Sequence, residues 1–271
     1  MSDSPRAAKA YHNREFLHSR EARAIRVLAE YLEPEARFKR LGVRDTIVFF
    51  GSARLCSREQ AEAEFAEVRA GGGDRAAAER RVAMSRYYEE ARALARRLSE
   101  WSQALPGHEG RFVICTGGGP GVMEAASRGA ADAGAPSVGL SISMPIAEFQ
   151  NPYIPPELAF EFHYFFMRKF WFSYLAKAVV VMPGGFGTLD ELFEVMTLIQ
   201  TLKMKKRLPI VLYGNGYWDE VVDFEAMVRH GTIGAADPAL FLRADSVEEA
   251  FEQVTAGLIE HALDGGGGPT L

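Results

Sequence analysis

Two apolar, β-branched runs in this chain each end in a glycine-rich turn that leads directly into helical sequence, and this repeat narrows the possible folds more than any other feature. Phe112-Val113-Ile114-Cys115 is followed by Thr116-Gly117-Gly118-Gly119-Pro120-Gly121 and then Val122-Met123-Glu124-Ala125-Ala126. Ala178-Val179-Val180-Val181-Met182 is followed by Pro183-Gly184-Gly185-Phe186-Gly187-Thr188 and a predicted helix from about Leu189 to Leu202. Thr46–Phe50, Ser137–Ile142 and Pro209–Tyr213 are further runs of the same kind, the first closed by Gly51-Ser52-Ala53-Arg54. A strand apolar at successive positions is buried on both faces, and strands alternating with helices form a parallel sheet covered by helices on either side. The predicted fold class is therefore α/β, a doubly wound, mainly parallel sheet. Ligands of such sheets sit beyond the carboxyl ends of the strands, where the turns after Phe50, Cys115 and Met182 fall.

The rest of the chain divides around this unit. Residues 1–45 are charged and Arg-rich, with Ile25, Val27, Leu28, Tyr31 and Leu32 spaced for one amphipathic helix ending before Pro34; they are read as an N-terminal helical arm. Residues 46–262 are read as a single domain of this Rossmann-like kind, and 263–271, with Gly265 to Gly268, as a flexible tail. Ala61 to Leu98 reads as helix, interruption at Gly71-Gly72-Gly73, and helix again from Ala77. Met144 to Ala159 is a predicted Pro-bearing loop, and an aromatic-rich helix is predicted over roughly Phe165 to Lys177. Two short helices and a last strand near Leu240-Phe241 complete the reading.

Composition sets limits on partners. The 271 residues carry 31 Lys+Arg against 36 Asp+Glu, a net charge of −5, which excludes a broad surface for nucleic acid or an anionic membrane. Lys203-Met204-Lys205-Lys206-Arg207 is accordingly read as a solvated helix end. Cys56 and Cys115 are too few for a disulfide framework, and no Cys/His spacing suggests a metal site. With no signal-like apolar segment and no run of about 18 apolar residues, the expected location is cytoplasmic.

A glycine turn opening a helix lets the backbone approach a ligand closely and aims free N–H groups at it, in a field that favours negative charge; phosphate is the usual guest. Neither turn is a Walker loop, because no Gly-Lys-Ser/Thr follows the glycines, and no G-x-G-x-x-G follows the first strand. In the second turn Thr188 adds a hydroxyl to the N–H groups of Gly185 to Thr188. Glu191 and Asp190 sit where an acid in a first helical turn would stabilise the dipole by up to about 1 kcal/mol, so each has both a structural and a chemical reading.

The segments Gly117–Glu124, Met167-Arg168-Lys169 and Pro183-Gly184-Gly185-Phe186-Gly187-Thr188-Leu189-Asp190-Glu191 resemble, in order, the motifs of the LONELY GUY (LOG) family, over roughly Thr46 to Leu212. The resemblance implies a Rossmann-like fold and a cytokinin riboside 5′-monophosphate phosphoribohydrolase or AMP nucleosidase that uses no cofactor. It places the catalytic roles on Arg168 and Glu191. Substrate contacts fall on Gly184, Gly185, Phe186, Gly187 and Thr188, with Lys169, Thr197, Gly118 and Gly119, and on Glu148 in a Met144-Pro145 loop one residue longer than the family's. It also implies a homodimer core, with the longer bacterial subgroup often more highly oligomeric.

Several of these residues have plainer readings. Lys169 can be a solvated helix charge, Thr197 can bond its own backbone, and Glu124 with Arg128 can form an i,i+4 pair. Asn151 in the Asn-Pro-Tyr loop can serve a turn or a substrate. The alternative to the hydrolase is a nucleotide-binding protein of the same fold without turnover, since phosphate capture alone explains both turns. A lysine decarboxylase would demand pyridoxal phosphate on a Schiff-base lysine, for which the sequence offers no cue.

Overall fold

The computed structural model describes residues 9–107, 109–143 and 150–263. Among them seven strands make one parallel sheet: β1 (Thr46–Phe50), β2 (Val113–Thr116), β3 (Ser137–Ile142), β4 (Ala159–Phe162), β5 (Ala176–Val181), β6 (Ile210–Tyr213) and β7 (Leu242–Ala244). Their spatial order is β4-β3-β2-β1-β5-β6-β7. The chain thus winds one way from β1 to β4 and the other way from β5 to β7, and reverses between the neighbours β1 and β5, where Phe50 lies opposite Val181.

The helices are α1 (Arg14–His18), α2 (Arg23–Leu41), α3 (Arg58–Gly71), α4 (Arg75–Met84), α5 (Arg86–Ala104) and α6 (Val122–Asp132). They continue with α7 (Phe165–Leu175), α8 (Phe186–Gln200), α9 (Asn215–Val221), α10 (Phe224–Arg229) and α11 (Val247–Leu258). All five residues of β1 are buried, and they alternate between two cores. Ile47 and Phe49 pack with residues of α5, α6 and α11, such as Leu94, Ala125 and Val254. Val48 and Phe50 pack with Trp171 and Phe172 of α7 and Leu192 of α8. This two-sided burial is the physical reason the strand has no polar alternation.

Several elements differ from the sequence expectation. The helix expected to end before Pro34 runs through it to Leu41 and stops at Gly42 in the left-handed region (φ 72°). Proline has no N–H for the carbonyl four residues back, and here that carbonyl, of Glu30, accepts the indole N–H of Trp171 at 3.0 Å. The stretch from Ala77 is two helices, α4 and α5, meeting at the buried Ser85, whose hydroxyl bonds back to the Val82 carbonyl. The expected loop up to Ala159 leads straight into β4, a four-residue edge strand hidden in the sequence by the aromatic run that follows. The aromatic helix ends at Leu175, so Lys177 belongs to β5, and the amphipathic α11 follows the last strand.

The basic run 203–207 is not simply a solvated helix end. α8 finishes at Gln200, and Lys206 turns inward to donate to the Ser173 carbonyl and, at 2.8 Å, to that of Tyr174. It thereby caps the carboxyl end of α7. Burial lowers its pKa to about 7, with Lys177 adding to the effect.

Candidate active site

The turns after β1, β2 and β5 converge at the carboxyl edge of the sheet, at its topological switch point. Ser52 N–H donates to the Pro183 carbonyl (3.0 Å), Met182 N–H to that of Phe50 (2.8 Å), and Val122 N–H to that of Ser52 (3.1 Å).

The glycines of the β2 turn are accounted for by the protein's own packing. Gly121 has φ 71°, and a Cβ there would lie 2.2 Å from the Ser52 carbonyl oxygen. Gly118, also at φ 71°, would place a Cβ 2.5 Å from Ser141 Oγ, and Gly117 and Gly119 would each meet the Met123 side chain at 2.8 Å. Gly118 and Gly119, read from the sequence as substrate contacts, thus lie against Ser141 and Met123.

The β5 turn is built differently. A Cβ on Gly184 would lie 2.1 Å from Thr188 Oγ1, so the buried Thr188 hydroxyl folds back onto this glycine. Gly185 and Gly187, by contrast, have no atom of a non-neighbouring residue within 4 Å of the Cβ position among the described residues. α8 starts at Phe186, its N-cap Gly185 supplies no side-chain acceptor, and Leu189 N–H makes the bond back to the Gly185 carbonyl. The N–H groups of Phe186, Gly187 and Thr188 therefore have no intrahelical acceptor. Phe186, 94% exposed, stands out from the turn.

Because the helix begins at Phe186, Glu191 lies in its second turn, four residues after Gly187 on the same face. The dipole reading of Glu191 consequently loses its basis, since that effect falls off within the first turn. Helical side chains lean toward the N-terminus, so the Glu191 carboxylate leans toward the open space over Gly187. Its partner is Arg168 of α7, whose guanidinium donates to Glu191 Oε1 at 3.2 Å; the two side chains are only 11% and 14% exposed. Burial raises the Glu191 pKa to about 7, an effect that the charge of Arg168 opposes. Arg168 lies 5.0 Å from the Phe165 ring centre and 5.8 Å from that of Phe172, and its buried Nε has no hydrogen-bond partner among the described residues. A buried cation with a spare donor beside a carboxylate titrating near neutrality can move a proton and stabilise a leaving group at one place.

The remaining candidates are distributed as follows. Lys169 Nζ is bound by Asp190 (2.7 Å) and Glu194 (2.9 Å); burial disfavours its charge, but these hydrogen bonds outweigh it and hold the pKa above the usual value. Thr197 is exposed on α8, six residues beyond Glu191. Glu124 and Arg128 do not pair directly among the described residues. Both instead engage the buried hydroxyl of Tyr88, which donates to Glu124 at 2.7 Å. Asn151 is buried, its Oδ1 accepting from Tyr153 N–H (3.1 Å) and its Nδ2 unpartnered. Glu148 lies outside the described residues. Sequence reasoning missed Tyr217, whose hydroxyl donates to the Gly184 carbonyl at 2.6 Å. Its only signal was Gly214-Asn215-Gly216 after β6, which places the next helix at the same sheet edge. Among the described residues no group of three His, Cys, Asp or Glu side chains forms a metal site, and no helix is long and apolar enough to cross a membrane.

Residues 123–254 match the family described as "Possible lysine decarboxylase". The probable cytokinin riboside 5′-monophosphate phosphoribohydrolase LOG4 of Oryza sativa subsp. japonica is 31% identical over 104 residues, 37% of this chain and 45% of that protein. The cytokinin riboside 5′-monophosphate phosphoribohydrolase LOG7 of Arabidopsis thaliana is 28% identical over 108 residues, 36% of this chain and 49% of that one. Over part of its length, then, the chain is similar to that family and to curated LOG proteins. It spans about half the length of the curated LOG proteins it matches. The X-ray structure of TM1055 matches with a TM-score of 0.48 and 21% identity, over 78% of this chain and 99% of that one. The molybdenum cofactor binding protein from Rippkaea orientalis matches with a TM-score of 0.47 and 16% identity, over 79% and 97%.

The decarboxylase description makes a chemical demand that this site does not meet. A Schiff-base lysine has to shed its proton, whereas Lys169 is held charged by two carboxylates. Lys177 and Lys206, the buried lysines with lowered pKa values, sit at the amino end of β5 and the carboxyl end of α7, at the opposite edge of the sheet. The residues at the strand ends do not fit pyridoxal phosphate.

Proposed function

We propose that this protein hydrolyses the N-glycosidic bond of a nucleoside 5′-monophosphate, AMP or its N6-modified form, to the free base and ribose 5-phosphate. The observation that carries the reading is the buried Arg168–Glu191 pair one helical turn behind a glycine turn whose Gly185 and Gly187 face open space. The 5′-phosphate binds the free N–H groups of Phe186, Gly187 and Thr188 at the amino end of α8, and that binding energy orients the ribose. As the bond between C1′ and the base nitrogen breaks, its electron pair leaves with the base, and positive charge builds on the sugar next to Glu191. Glu191 takes a proton from the attacking water, whose hydroxyl joins C1′, and the departing base gains a proton, which balances the reaction. The guanidinium of Arg168 stabilises charge on the leaving base and opposes the rise that burial causes in the Glu191 pKa. The curated LOG relatives, named as phosphoribohydrolases of cytokinin riboside 5′-monophosphates, support the same reading.

Incubating the purified protein with AMP and with N6-isopentenyladenosine monophosphate, and following free base by chromatography, tests it. Base release is expected, falling about 10³-fold in Glu191→Ala. Nucleotide binding without release, or undiminished turnover by the variant, overturns the proposal.

A further inference from the structure

The N-terminal helix α2 does more than cover the sheet. Its Glu30 reaches the start of α7 with both carboxylate oxygens, Oε1 accepting from His163 N–H at 2.8 Å and Oε2 from Tyr164 N–H at 3.2 Å. Tyr164 is the N-cap residue of α7, and its own side chain makes no capping bond. Its carbonyl accepts the N–H of Arg168 at 3.2 Å and that of Met167 at 3.1 Å. The Glu30 carboxylate is therefore one peptide unit away from the hydrogen bond that opens the helical turn carrying Arg168.

The backbone of the same residue makes a second contact. Pro34 leaves the Glu30 carbonyl without its helical donor, and Trp171, three residues beyond Arg168, fills that place with its indole N–H. Glu30 thus grips α7 on both sides of Arg168, by side chain before it and by main chain after it. Phe38, one turn beyond Pro34, adds ring contacts to Trp171 at 5.5 Å and to Phe160 of β4 at 4.6 Å. A carboxylate at a helix N-terminus also favours the helix through its dipole.

We infer that Glu30 is a positioning residue for Arg168: by capping α7 and fastening it to α2, it fixes where the guanidinium stands beside Glu191. The inference rests on the proposed hydrolase reading for its effect on rate, but its structural part does not. A displacement of Arg168 on the order of 1 Å is enough to cost about 10²-fold in rate.

The test compares Glu30→Ala, Glu30→Gln and the control Glu35→Ala, which removes an exposed ion pair with Lys39 on the same helix. Two readouts are taken, AMP hydrolysis against pH and amide exchange of residues 163–168 by mass spectrometry. For Glu30→Ala, exchange of that segment is expected to rise about tenfold, the loss of a hydrogen bond to a charged group. kcat is expected to fall by about 10–100-fold with little change in KM. The acid limb of kcat should move to higher pH. Glu191 sets that limb among Arg168 and Lys169 of α7, Asp190 and Glu194 of its own helix and Cys115 of β2, and a misplaced Arg168 supports its carboxylate less. A mere loss of folded protein would scale kcat without moving the limb. Glu30→Gln, keeping one acceptor oxygen, should recover part of each effect and keeps the test usable if Glu30→Ala folds poorly. Unchanged exchange in the Glu30 variants overturns the inference, as does increased exchange with an unmoved limb and unchanged kcat. If the wild-type protein turns over neither nucleotide, the hydrolase reading fails, and the exchange measurement still decides whether Glu30 fixes α7.

Discussion

The two glycine turns, after β2 and after β5, look alike in sequence and are explained by different things. In the β2 turn Gly117, Gly118, Gly119 and Gly121 are each crowded by the protein, by Met123, Ser141 or Ser52, and two of them hold positive φ. In the β5 turn Gly184 alone is crowded by the described residues, and Gly185 and Gly187 meet none of them. Gly187 lies inside α8, where glycine costs about 1 kcal/mol relative to alanine. No packing against the described residues offsets that cost. A glycine that packing demands belongs to the fold, and one that packing does not demand leaves room for something else.

The contrast can be broken most forcefully at Gly121. Gly121→Ala should destabilise the protein by about 3 kcal/mol or more, because the backbone conformation and the Ser52 carbonyl both oppose a Cβ. Denaturant unfolding should show the loss, while activity per folded molecule stays near wild type; an undisturbed midpoint would make the β2 glycines dispensable.

The next effect concerns Glu191 and pH. Its folded pKa of about 7 lies above the unfolded value of 4.5, so the folded state holds the proton more tightly. The contribution of this group to stability is then fully present below about pH 4.5 and is lost as pH rises through 7. Glu191→Gln should consequently raise the melting temperature at pH 8 and leave it nearly unchanged at pH 4, with a gain of up to about 3 kcal/mol. Part of that gain is offset because Arg168 loses its counter-charge. Equal melting shifts at both pH values would contradict the burial argument. In the wild type, kcat should fall as pH drops through 7, since the water-activating form is the carboxylate.

The smallest change in stability should come from Gly187→Ala. The variant should fold at least as well as wild type, gaining up to about 1 kcal/mol. Its KM for AMP should rise about tenfold or more, as the added methyl fills the space kept for the phosphate. An unchanged KM together with lower stability would return both turns to one explanation.

Much of this was legible in the sequence, for reasons that can be named. Runs such as Ile47–Phe50 are apolar throughout because both faces of β1 are buried. Arg168 and Glu191 were legible through motif spacing, and their separation of 23 positions is spanned by the end of α7, β5 and the start of α8. What spacing alone does not carry is contact between distant segments. Lys206 reads as one charge in a basic run until the end of α7 is placed over it, and Pro34 reads as a helix stop until Trp171 supplies the missing donor. Glu124 and Arg128 have i,i+4 spacing, yet Tyr88, 36 positions before Glu124, accounts for both. The role of Tyr217 likewise depends on β6 lying beside β5.

The bond from Tyr217 to the Gly184 carbonyl has a thermodynamic consequence. Together with the bonds Ser52 N–H to Pro183 and Met182 N–H to Phe50, it ties the β5 turn to the end of β1 and to the helix after β6, so two separate parts of the chain fix a segment that glycine alone would leave loose. The conformational entropy of ordering the turn is spent once, during folding, rather than at every binding event. If the turn binds phosphate as proposed, affinity reflects contact energy with little reorganisation subtracted, and association proceeds without waiting for the turn to form.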